Sequence, residues 1–422
     1  MPAFMERISD LYRRKYSENP LTTLFTAASL VALAVFLIIG GITLGDSILN
    51  VFFYRTADAF MDFFNSINYS SDGPYTKYGV IYPPLATLMY YIIGLFTIPF
   101  VGETTTLAAA LKGSFVGMLS FIIVTALMLY LLYWAVMRIT RNTEISGKIL
   151  FLLILISFPC LYAIERGNCI LVLPALILIF LMGYRSENKT LRYISYAALG
   201  CAVGLKIYTV LMGLLVLREK KYKEIAVCAF IGLMTFMIPF IFTDGDPISF
   251  LNRMFEYAGS VRGVYGIVNL NDLVLTLFGG VFSDSQVDSL GVILTIMMMV
   301  ISAVIAVFCK EMKFWKIVTL ISCNLILGFG VGTPYLYIYL AVPLVLFLME
   351  EKETTRENMF FLICFTAVMI LIPGPGFERI LIWITNFKTI FVILITAALM
   401  SEGIAGLYRS CRNRMSKVCP CE

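Results

Sequence analysis

The sequence predicts an all-α protein that crosses a membrane with roughly 12 transmembrane helices. Two observations carry this prediction. First, 60% of the 422 residues are hydrophobic and only 14% are charged, whereas a soluble domain carries about 25% charged residues. Second, apolar runs of about 18 residues or more recur from one end of the chain to the other. No polar segment is long enough for a soluble domain, so residues 1–422 are predicted to form a single integral membrane domain.

The start of the chain sets the orientation that we predict. Residues 1–20 carry four basic side chains, Arg7, Arg13, Arg14 and Lys15. Because cytoplasmic segments are enriched in Lys and Arg, this cluster predicts a cytoplasmic N-terminus. The apolar run 21–44 is too long and too weakly terminated for a cleaved signal peptide, so we expect it to be retained as a helix. Segment 45–80 is then predicted to be external.

The rest of the chain alternates between apolar and polar stretches. Membrane helices are predicted in 81–243 and in 289–408. Between them, residues 244–288 are predicted to be external. Within that stretch, residues 265–282 are apolar but interrupted by Asn and Asp, which indicates an interfacial or re-entrant piece. The tail 409–422 is predicted to be cytoplasmic.

Basic clusters test this arrangement. The clusters at 218–223 and 310–316 fall on the cytoplasmic side, as the positive-inside rule requires. The clusters that begin at Arg138 and Arg185 fall on the external side and disagree with it. This leaves open whether one of the runs between 81 and 184 spans only half of the bilayer.

Segment 45–80 is the polar stretch around which the chain is organised. Asp58 and Asp62 follow the first apolar run, and carboxylates beside a bilayer are costly, which makes them functional candidates. The connection is about 35 residues long, too long for a plain connector, so we expect a polar loop with a function. The Pro-Pro pair after Tyr82 begins the next helix, because proline suits a first helical turn.

The tetrapeptide Glu165-Arg166-Gly167-Asn168 interrupts two apolar runs. It can be a tight turn with its own Glu–Arg pair, worth about 0.5 kcal/mol if exposed. It can equally be a polar cluster at the membrane edge that contacts a substrate. The residue types alone favour neither interpretation.

Lys206 lies in the middle of the apolar run CAVGLKIYTVLMGLL. It can pair with an acid of a neighbouring helix, or it can bind the phosphate of a lipid. We favour the second interpretation, because intramembrane charges usually mark substrate or ion paths. Tyr335 and Tyr337 open a later helix, where aromatic residues are most often part of the interface belt. They could instead line a sugar site, since tyrosine offers both a stacking face and a hydroxyl.

Several kinds of chemistry are excluded. The chain has no His, which removes imidazole as a base, nucleophile or metal ligand. It has no P-loop, no dinucleotide-binding fingerprint and no nucleophile elbow. The net charge of +5 comes from short clusters at helix ends, which indicate orientation and not nucleic-acid binding. Cys419 and Cys421 form a lone Cys-x-Cys pair, a weak signal for metal or lipid.

Some of these segments resemble a known family. The residues MDFFN around Asp62, the pair Pro74-Tyr75 and the run IYPPLA at 81–86 resemble the first external loop of glycosyltransferase family 87. That family contains polyprenol-phosphate-mannose-type transferases of bacterial envelopes, with the GT-C fold.

Two further segments extend the resemblance over about residues 55–225, in the family's order. The ERGN tetrapeptide resembles the family's G-Q-x-N segment, and GLKIY at 204–208 with REKK at 218–221 resembles its lysine helix. The chain departs from the pattern in three places. The Gln is missing, Thr209 stands where Pro is frequent, and no His occurs near Tyr335 and Tyr337, where several members carry one.

The resemblance implies a GT-C-like helical bundle whose first external loop carries the catalytic acid. It implies inverting transfer of a sugar, such as a mannose-like hexose, from a polyprenyl-phosphate donor. The acceptor would be a hydroxyl of an envelope glycan or glycolipid on the external face. Asp62 would be the general base, with Asp58 as a neighbour that tunes it.

The resemblance and the residue chemistry together give a predicted site. Cations for the donor phosphate are expected from Lys206, Arg166 and Lys77. Substrate contacts are expected from seven side chains, namely Asn65, Tyr75, Tyr82, Glu165, Asn168, Tyr335 and Tyr337. No cofactor and no metal are expected.

Two other classes of membrane protein compete with a transferase. A transporter or flippase of lipid-linked saccharides would show paired repeats and several intramembrane charges along a path, whereas only Lys206 is clearly placed in that way. A polysaccharide polymerase would place its large loop late in the chain, and here the conspicuous loop comes first. We therefore favour the transferase.

Overall fold

The computed structural model describes residues 19–52, 58–101, 106–260, 265–328, 332–374 and 380–418. Throughout these ranges the regular secondary structure is helical, with no strand, which confirms the predicted all-α class. The basic cluster of the N-terminus and the Cys419–Cys421 pair lie outside the described ranges.

The first half of the described chain contains eleven α-helices. They are α1 Pro20–Ile42, α2 Asp46–Phe52, α3 Met61–Ser71, α4 Pro84–Thr97, α5 Leu107–Gly113, α6 Phe115–Ile139, α7 Gly147–Leu155, α8 Phe158–Arg166, α9 Leu173–Gly183, α10 Lys189–Leu205 and α11 Leu214–Arg218. Three 3-10 helices continue or precede them, at Ile98–Phe100, Cys169–Val172 and Ile207–Gly213.

The second half follows the same pattern. Its α-helices are α12 Tyr222–Met237, α13 Pro247–Ser260, α14 Leu270–Phe278, α15 Asp284–Phe308, α16 Phe314–Leu327, α17 Ala341–Glu350, α18 Arg356–Met369 and α19 Ile380–Val418. Two further 3-10 helices occur at Ile238–Ile241 and Pro334–Leu340.

Five helices of the described chain are long and apolar enough to cross a membrane. They are α1, α6, α15, α19 and α12 together with the 3-10 helix that extends it. A sixth span results if α7 and α8, which meet at a bend of 57°, count as one broken span. The protein is therefore a multi-pass membrane protein, and the count of roughly 12 spans stays a prediction.

The described chain has fewer candidate spans than the predicted number, because several apolar runs do not form one continuous helix. The apolar run that contains Lys206 is divided at that residue, where α10 ends in extended backbone with φ −148°. The later helix that Tyr335 and Tyr337 open begins as a 3-10 helix before α17. Such irregular backbone is tolerated at membrane depth only where protein surrounds it. These breaks indeed fall in the buried centre of the molecule, where Tyr337 and Tyr339 are fully buried.

The long helices form the outside of the bundle. Along α12 only 11% of the apolar window is buried within the protein, and along α6 the value is 22%. Their exposed residues are large and apolar, such as Phe115, Leu127 and Phe230. In contrast, α16 and α17 are buried over almost their whole length. The outer faces are therefore the surfaces suited to lipid.

The structure corrects the expectation that 45–80 is a polar loop. Residues 46–52 form α2, and Met61–Ser71 form α3, so Asp62 lies in a first helical turn. The reason is visible in the sequence MDFFNSINYSS, because Phe63, Phe64 and Ile67 recur at helical spacing and are buried on one face.

The apolar piece predicted to be interfacial or re-entrant contains α14, a helix of nine residues. Asn269 and Asp272 form a capping box at its start, which satisfies the first free backbone N–H groups. A helix of this length cannot span a bilayer. It packs against the start of α15, where a side chain on Gly291 would collide with Asn271.

Candidate functional site

The start of α3 is held by an unusual backbone conformation. Phe60 caps the helix in the left-handed region with φ 63°, which costs a non-glycine residue conformational energy. Its N–H donates to the carbonyl oxygen of Glu165 over 2.7 Å, and its ring lies 4.6 Å from that of Phe121. These contacts bind the first turn of α3, including Asp62, to the end of α8.

The end of α8 requires a glycine. Gly167 adopts φ 68° and closes the helix, and its N–H donates to the carbonyl of Ile164. A side chain at this position would place its Cβ 2.8 Å from the Cβ of Phe63. Glycine therefore permits both the left-handed turn and the close approach of α3 to α8.

Asp62 is held by two donors from this turn. The Arg166 Nη2 atom donates to Asp62 Oδ1 over 2.5 Å, and the Asn168 Nδ2 atom donates to Oδ2 over 2.8 Å. Both members of the ion pair keep some exposure, 18% for the Arg166 side chain and 16% for that of Asp62. The first hypothesis for the ERGN turn, a Glu–Arg pair within it, is therefore wrong, because Arg166 pairs with an acid 104 residues away.

Asn168 connects the Asp62 carboxylate to Tyr82, which lies just before α4. Its Nδ2 also donates to the hydroxyl of Tyr82 over 2.9 Å, and its Oδ1 accepts from the backbone N–H of Ile170. The side chain is 2% exposed and uses both its donor and its acceptor. It therefore fixes the relative positions of Asp62 and Tyr82.

Lys206 lies on the other side of Tyr82. Its Nζ atom is 4.6 Å from the ring centroid of Tyr82 and 5.8 Å from that of Tyr335. Within the described part of the chain the ammonium makes no hydrogen bond or ion pair. The helix break at Lys206 permits this placement, because the extended backbone turns the side chain away from the path of a continuous helix.

These contacts form one connected set that we call the polar cluster, consisting of Asp62, Arg166, Asn168, Tyr82 and Lys206. It links a carboxylate through Asn168 to Tyr82, and the ring of Tyr82 also lies next to a lysine that has no hydrogen bond or ion pair within the described residues. Four different segments of the chain supply it, which explains why no short motif contains it.

Three more predicted residues lie beside the polar cluster. Glu165 is 6% exposed, and its Oε2 atom has no hydrogen-bond partner. Asn65 is one turn after Asp62 on α3 and is partly buried. Asp58 is partly buried in the turn before α3. A spacing of four residues would place the two aspartates on one face of a continuous helix, but left-handed Phe60 separates them and Asp58 lies outside α3.

The structure places the other predicted residues elsewhere. Tyr75 is buried, and its hydroxyl donates to Thr87 Oγ1 over 2.9 Å, which fixes the preceding loop to α4. Lys77 pairs with Asp72 on the exposed surface of that loop. The Tyr337 hydroxyl bonds with Thr389 Oγ1 over 2.6 Å. The Tyr75 hydroxyl also donates to the backbone carbonyl of Tyr82 over 3.1 Å, so Tyr75 supports the polar cluster from outside, whereas the contacts described for Lys77 and Tyr337 do not join it.

Sequence reasoning missed two tyrosines that complete the surroundings. The Tyr162 ring packs 6.4 Å from that of Tyr335, and Tyr90 packs against Tyr82 with ring centroids 6.1 Å apart. Both lie in apolar runs, where a tyrosine has no sequence signal that distinguishes it from other buried aromatic residues. Within the described residues no group of three or more Cys, Asp or Glu side chains is arranged to hold a metal ion.

Comparison with known proteins identifies a family for the chain. The sequence model of glycosyltransferase family 87 matches residues 80–329, which is more than half of the chain. The matched region contains Tyr82, Arg166, Asn168 and Lys206, and Asp62 lies before it. No curated protein matches the chain. The extent of the family match, together with the multi-pass helical fold, shows that the chain belongs to glycosyltransferase family 87 and is a membrane glycosyltransferase.

Proposed function

We propose that the protein transfers a mannose-like hexose from a polyprenyl-phosphate donor to a hydroxyl of an envelope glycan or glycolipid. The transfer takes place at the external face of the cell membrane, with inversion at the anomeric carbon. The observation that supports this proposal is the polar cluster, in which Tyr82 is linked through Asn168 to a hydrogen-bonded carboxylate and lies next to a lysine without an ion pair among the described residues.

The reaction is a single displacement. The acceptor oxygen attacks the anomeric carbon while the bond from that carbon to the phosphate oxygen breaks. The acceptor proton passes to the Asp62 carboxylate, and the electron pair of the broken bond stays on the polyprenyl phosphate. One displacement inverts the anomeric carbon, and protons and charge balance without an added reagent.

Asp62 is suited to the role of base. A carboxylate offers about four lone-pair sites, and Arg166 and Asn168 occupy one on each oxygen. The remaining sites can accept the acceptor hydroxyl. The two donors also restrict the orientation of the carboxylate, which helps to position a base within hydrogen-bond reach of its proton.

Lys206 is the better candidate for the donor phosphate. Arg166 is already paired with Asp62, and Lys77 is paired with Asp72. Among the described residues, the Lys206 ammonium has the faces of Tyr82 and Tyr335 as its partners and no anion. A fixed cation with free donors can stabilise the negative charge that develops on the leaving phosphate. The same two tyrosine rings offer stacking surfaces for the sugar.

Purified protein in detergent, incubated with a panel of short-chain polyprenyl-phosphate sugars and octyl glycosides, tests the proposal. We expect release of polyprenyl phosphate and formation of a glycosylated octyl glycoside with inverted anomeric configuration. Asp62→Asn protein, prepared in parallel, is the control. Retention of configuration in the product would contradict the single displacement, and transport of intact donor across vesicles without sugar transfer would support a flippase instead.

The external location has a separate test. Ser71 is exposed at the end of α3, and we expect Ser71→Cys to react with a membrane-impermeant maleimide in intact cells. If the termini are cytoplasmic, Arg412→Cys at the exposed end of α19 should react only after permeabilisation. The opposite pattern would place the polar cluster on the cytoplasmic side.

A further inference from the structure

Helix α3 has a buried apolar face and a partly exposed polar face. The polar face carries Asp62, Asn65, Asn68 and Tyr69, all of which keep some exposure to solvent. Asp62, Asn65 and Tyr69 occupy positions i, i+3 and i+7, so their side chains follow one line along the helix. A face of this composition is unsuited to lipid, because polar side chains are costly there. It is therefore suited to water or to a polar ligand.

The two asparagines on this face have free amide groups. Within the described residues, neither the Asn65 side chain nor the Asn68 side chain has a hydrogen-bond partner. Each amide offers two donors and one acceptor oxygen, which match the hydroxyl groups of a sugar. The distance along the helix axis from Asp62 to Tyr69 is about 10 Å, at a rise of about 1.5 Å per residue. This length exceeds that of a single hexose ring.

Tyr69 ends this line at a pair of aromatic rings. Its ring centroid lies 4.9 Å from that of Tyr78, which belongs to the loop after α3. Tyr78 is 38% exposed, although the Lys77 ammonium lies 5.1 Å from its ring centroid. Lys77 in turn pairs with Asp72 on the surface of the loop. The pair of rings therefore lies at a polar, accessible surface, where an aromatic side chain can contact a sugar.

The loop that carries Tyr78 is held on several sides. Asp244 accepts the backbone N–H of Tyr75 over 3.0 Å, and the Tyr75 hydroxyl bonds to the start of α4. Gly79 has φ 60° and lies against Arg253, because a Cβ there would come within 2.5 Å of the Nη1 atom. An exposed ring on a restrained loop loses little conformational freedom when it binds a ligand.

We propose that the acceptor is an oligosaccharide that lies along this face of α3, from Asp62 to the rings of Tyr69 and Tyr78. The inference rests on the proposed transferase function, in which the acceptor hydroxyl meets Asp62. The lipid part of the donor requires apolar surroundings, whereas the side chains of Lys77 and Asp72 beside the rings are 55% and 65% exposed. This end of the line therefore suits the polar acceptor. Tyr78 binds a sugar unit beyond the one that reacts.

The kinetic test varies the length of the acceptor. Methyl glycosides of mannose, glucose and galactose, each as mono-, di- and trisaccharide, are compared with a short-chain polyprenyl phosphomannose as donor. The methyl group is chosen because an octyl chain can itself bind to aromatic rings. In wild type we expect the acceptor KM to fall as sugar units are added in at least one series.

Tyr78→Ala should remove that advantage. Its KM for the trisaccharide should rise roughly two- to tenfold, whereas the KM values for the monosaccharide and the donor stay unchanged, because neither reaches the pair of rings. Tyr130→Ala is the matched control, since Tyr130 is 65% exposed on the outer face of α6. The inference is overturned if no series shows an effect of length, or if Tyr78→Ala changes all KM values equally.

Binding without turnover separates this inference from the proposed function. Isothermal titration calorimetry with the same trisaccharides, in the absence of donor, compares wild type, Tyr78→Ala and Tyr130→Ala. Weaker binding to Tyr78→Ala alone supports the oligosaccharide surface, even if the protein transfers no sugar and the proposed function fails. Equal binding to all three proteins, or binding to none, contradicts the inference.

A second pair of variants tests Asp244 as a positioning residue for Tyr78. Asp244→Asn removes one of the two carboxylate oxygens that hold the loop, so it should raise the KM for the trisaccharide and leave that for the monosaccharide unchanged. Asp246→Asn is the control, because Asp246 bonds within its own turn. An equal rise for both acceptors in Asp244→Asn would mean that Asp244 supports the fold and does not position Tyr78.

Discussion

Two regions of the molecule surround buried lysines with different kinds of partner. Within the described residues three lysines are buried, and two of them are fully provided with oxygen partners. Lys316 pairs with Glu357 and Glu402, and Lys388 donates to three carbonyl oxygens at the end of α18. Lys206 has the faces of two tyrosines and no described anion.

The two groups differ in whether oxygen atoms of the described protein compensate the charge of the ammonium. A buried ammonium is costly unless oxygen atoms compensate for lost water, and Lys316 and Lys388 meet that condition within the protein. The aromatic faces around Lys206 compensate only in part. Lys206 is therefore the buried lysine that we propose for ligand binding, whereas the other two lysines hold helices together.

The largest effect is expected at Asp62, the carboxylate of the polar cluster. Asp62→Asn preserves size and removes the proton acceptor, so turnover should fall roughly 10²–10⁴-fold, the usual contribution of a general base. Asp58→Asn, the matched control, should cost much less, since Asp58 lies outside α3. Steady-state assays of both variants with the same donor measure this. An active Asp62→Asn protein with an inactive Asp58→Asn protein would assign the base to Asp58.

The second effect concerns stability at Lys388. Lys388→Met would leave carbonyl oxygens at the end of α18 without their donor, and we expect a loss of about 3 kcal/mol in the free energy of unfolding. Lys388→Arg keeps the cation and should lose less. Thermal unfolding in detergent measures both. A Lys388→Met protein as stable as wild type, but unable to bind donor, would give this lysine a functional role and remove the contrast.

The third effect concerns Lys206, where we expect weaker donor binding and no loss of stability. Lys206→Met should fold and insert at least as well as wild type, because methionine suits an apolar environment. Its donor KM should rise roughly 10- to 100-fold, since a charge-assisted hydrogen bond to phosphate contributes about 1.5–3 kcal/mol. Lys206→Arg should keep part of the affinity, because it retains the charge but not the shape. Normal donor kinetics of Lys206→Met would make Arg166 the leading phosphate partner.

The smallest effect lies in the loop that precedes Tyr82. Asp244 accepts the backbone N–H groups of Tyr75 and Thr76 over 3.0 and 2.8 Å, and it also accepts the Thr76 hydroxyl. Burial raises the pKa of Asp244, but these hydrogen bonds outweigh it, so the pKa lies below its ordinary value. A lowered folded-state pKa means that the stabilisation is present above the ordinary value of about 3.9 and is lost as the pH falls below it.

Hydrogen exchange of residues 73–80 measures this pH dependence. In wild type, protection of these amides should decrease as the pH drops below about 4. Asp244→Asn should show weaker protection at neutral pH and little further change in acid. Asp246→Asn is the control, because Asp246 bonds only within its own turn at residues 248–249. Identical pH profiles for wild type and Asp244→Asn would contradict the assignment.

Much of the fold could be predicted from the sequence, because segments that enter a bilayer must be apolar and must satisfy their own backbone hydrogen bonds. A chain with 60% hydrophobic residues and recurrent apolar runs must satisfy its backbone within helices, and the described chain is helical throughout its regular structure. The sequence also singled out Asp62, Arg166, Asn168 and Lys206 as candidates, because polar residues between apolar runs are costly unless they have a use, and their roles stay predictions.

The sequence does not indicate which of these groups meet in the folded protein. Nothing in the spacing of Asp62 and Arg166 indicates that they form an ion pair across 104 residues. The pairing depends on left-handed Phe60 and on Gly167, which bring α3 against α8. It also depends on the break of the helix at Lys206. Hydrophobicity determines which segments enter the membrane, whereas local backbone conformation and close packing determine which of their polar atoms come into contact.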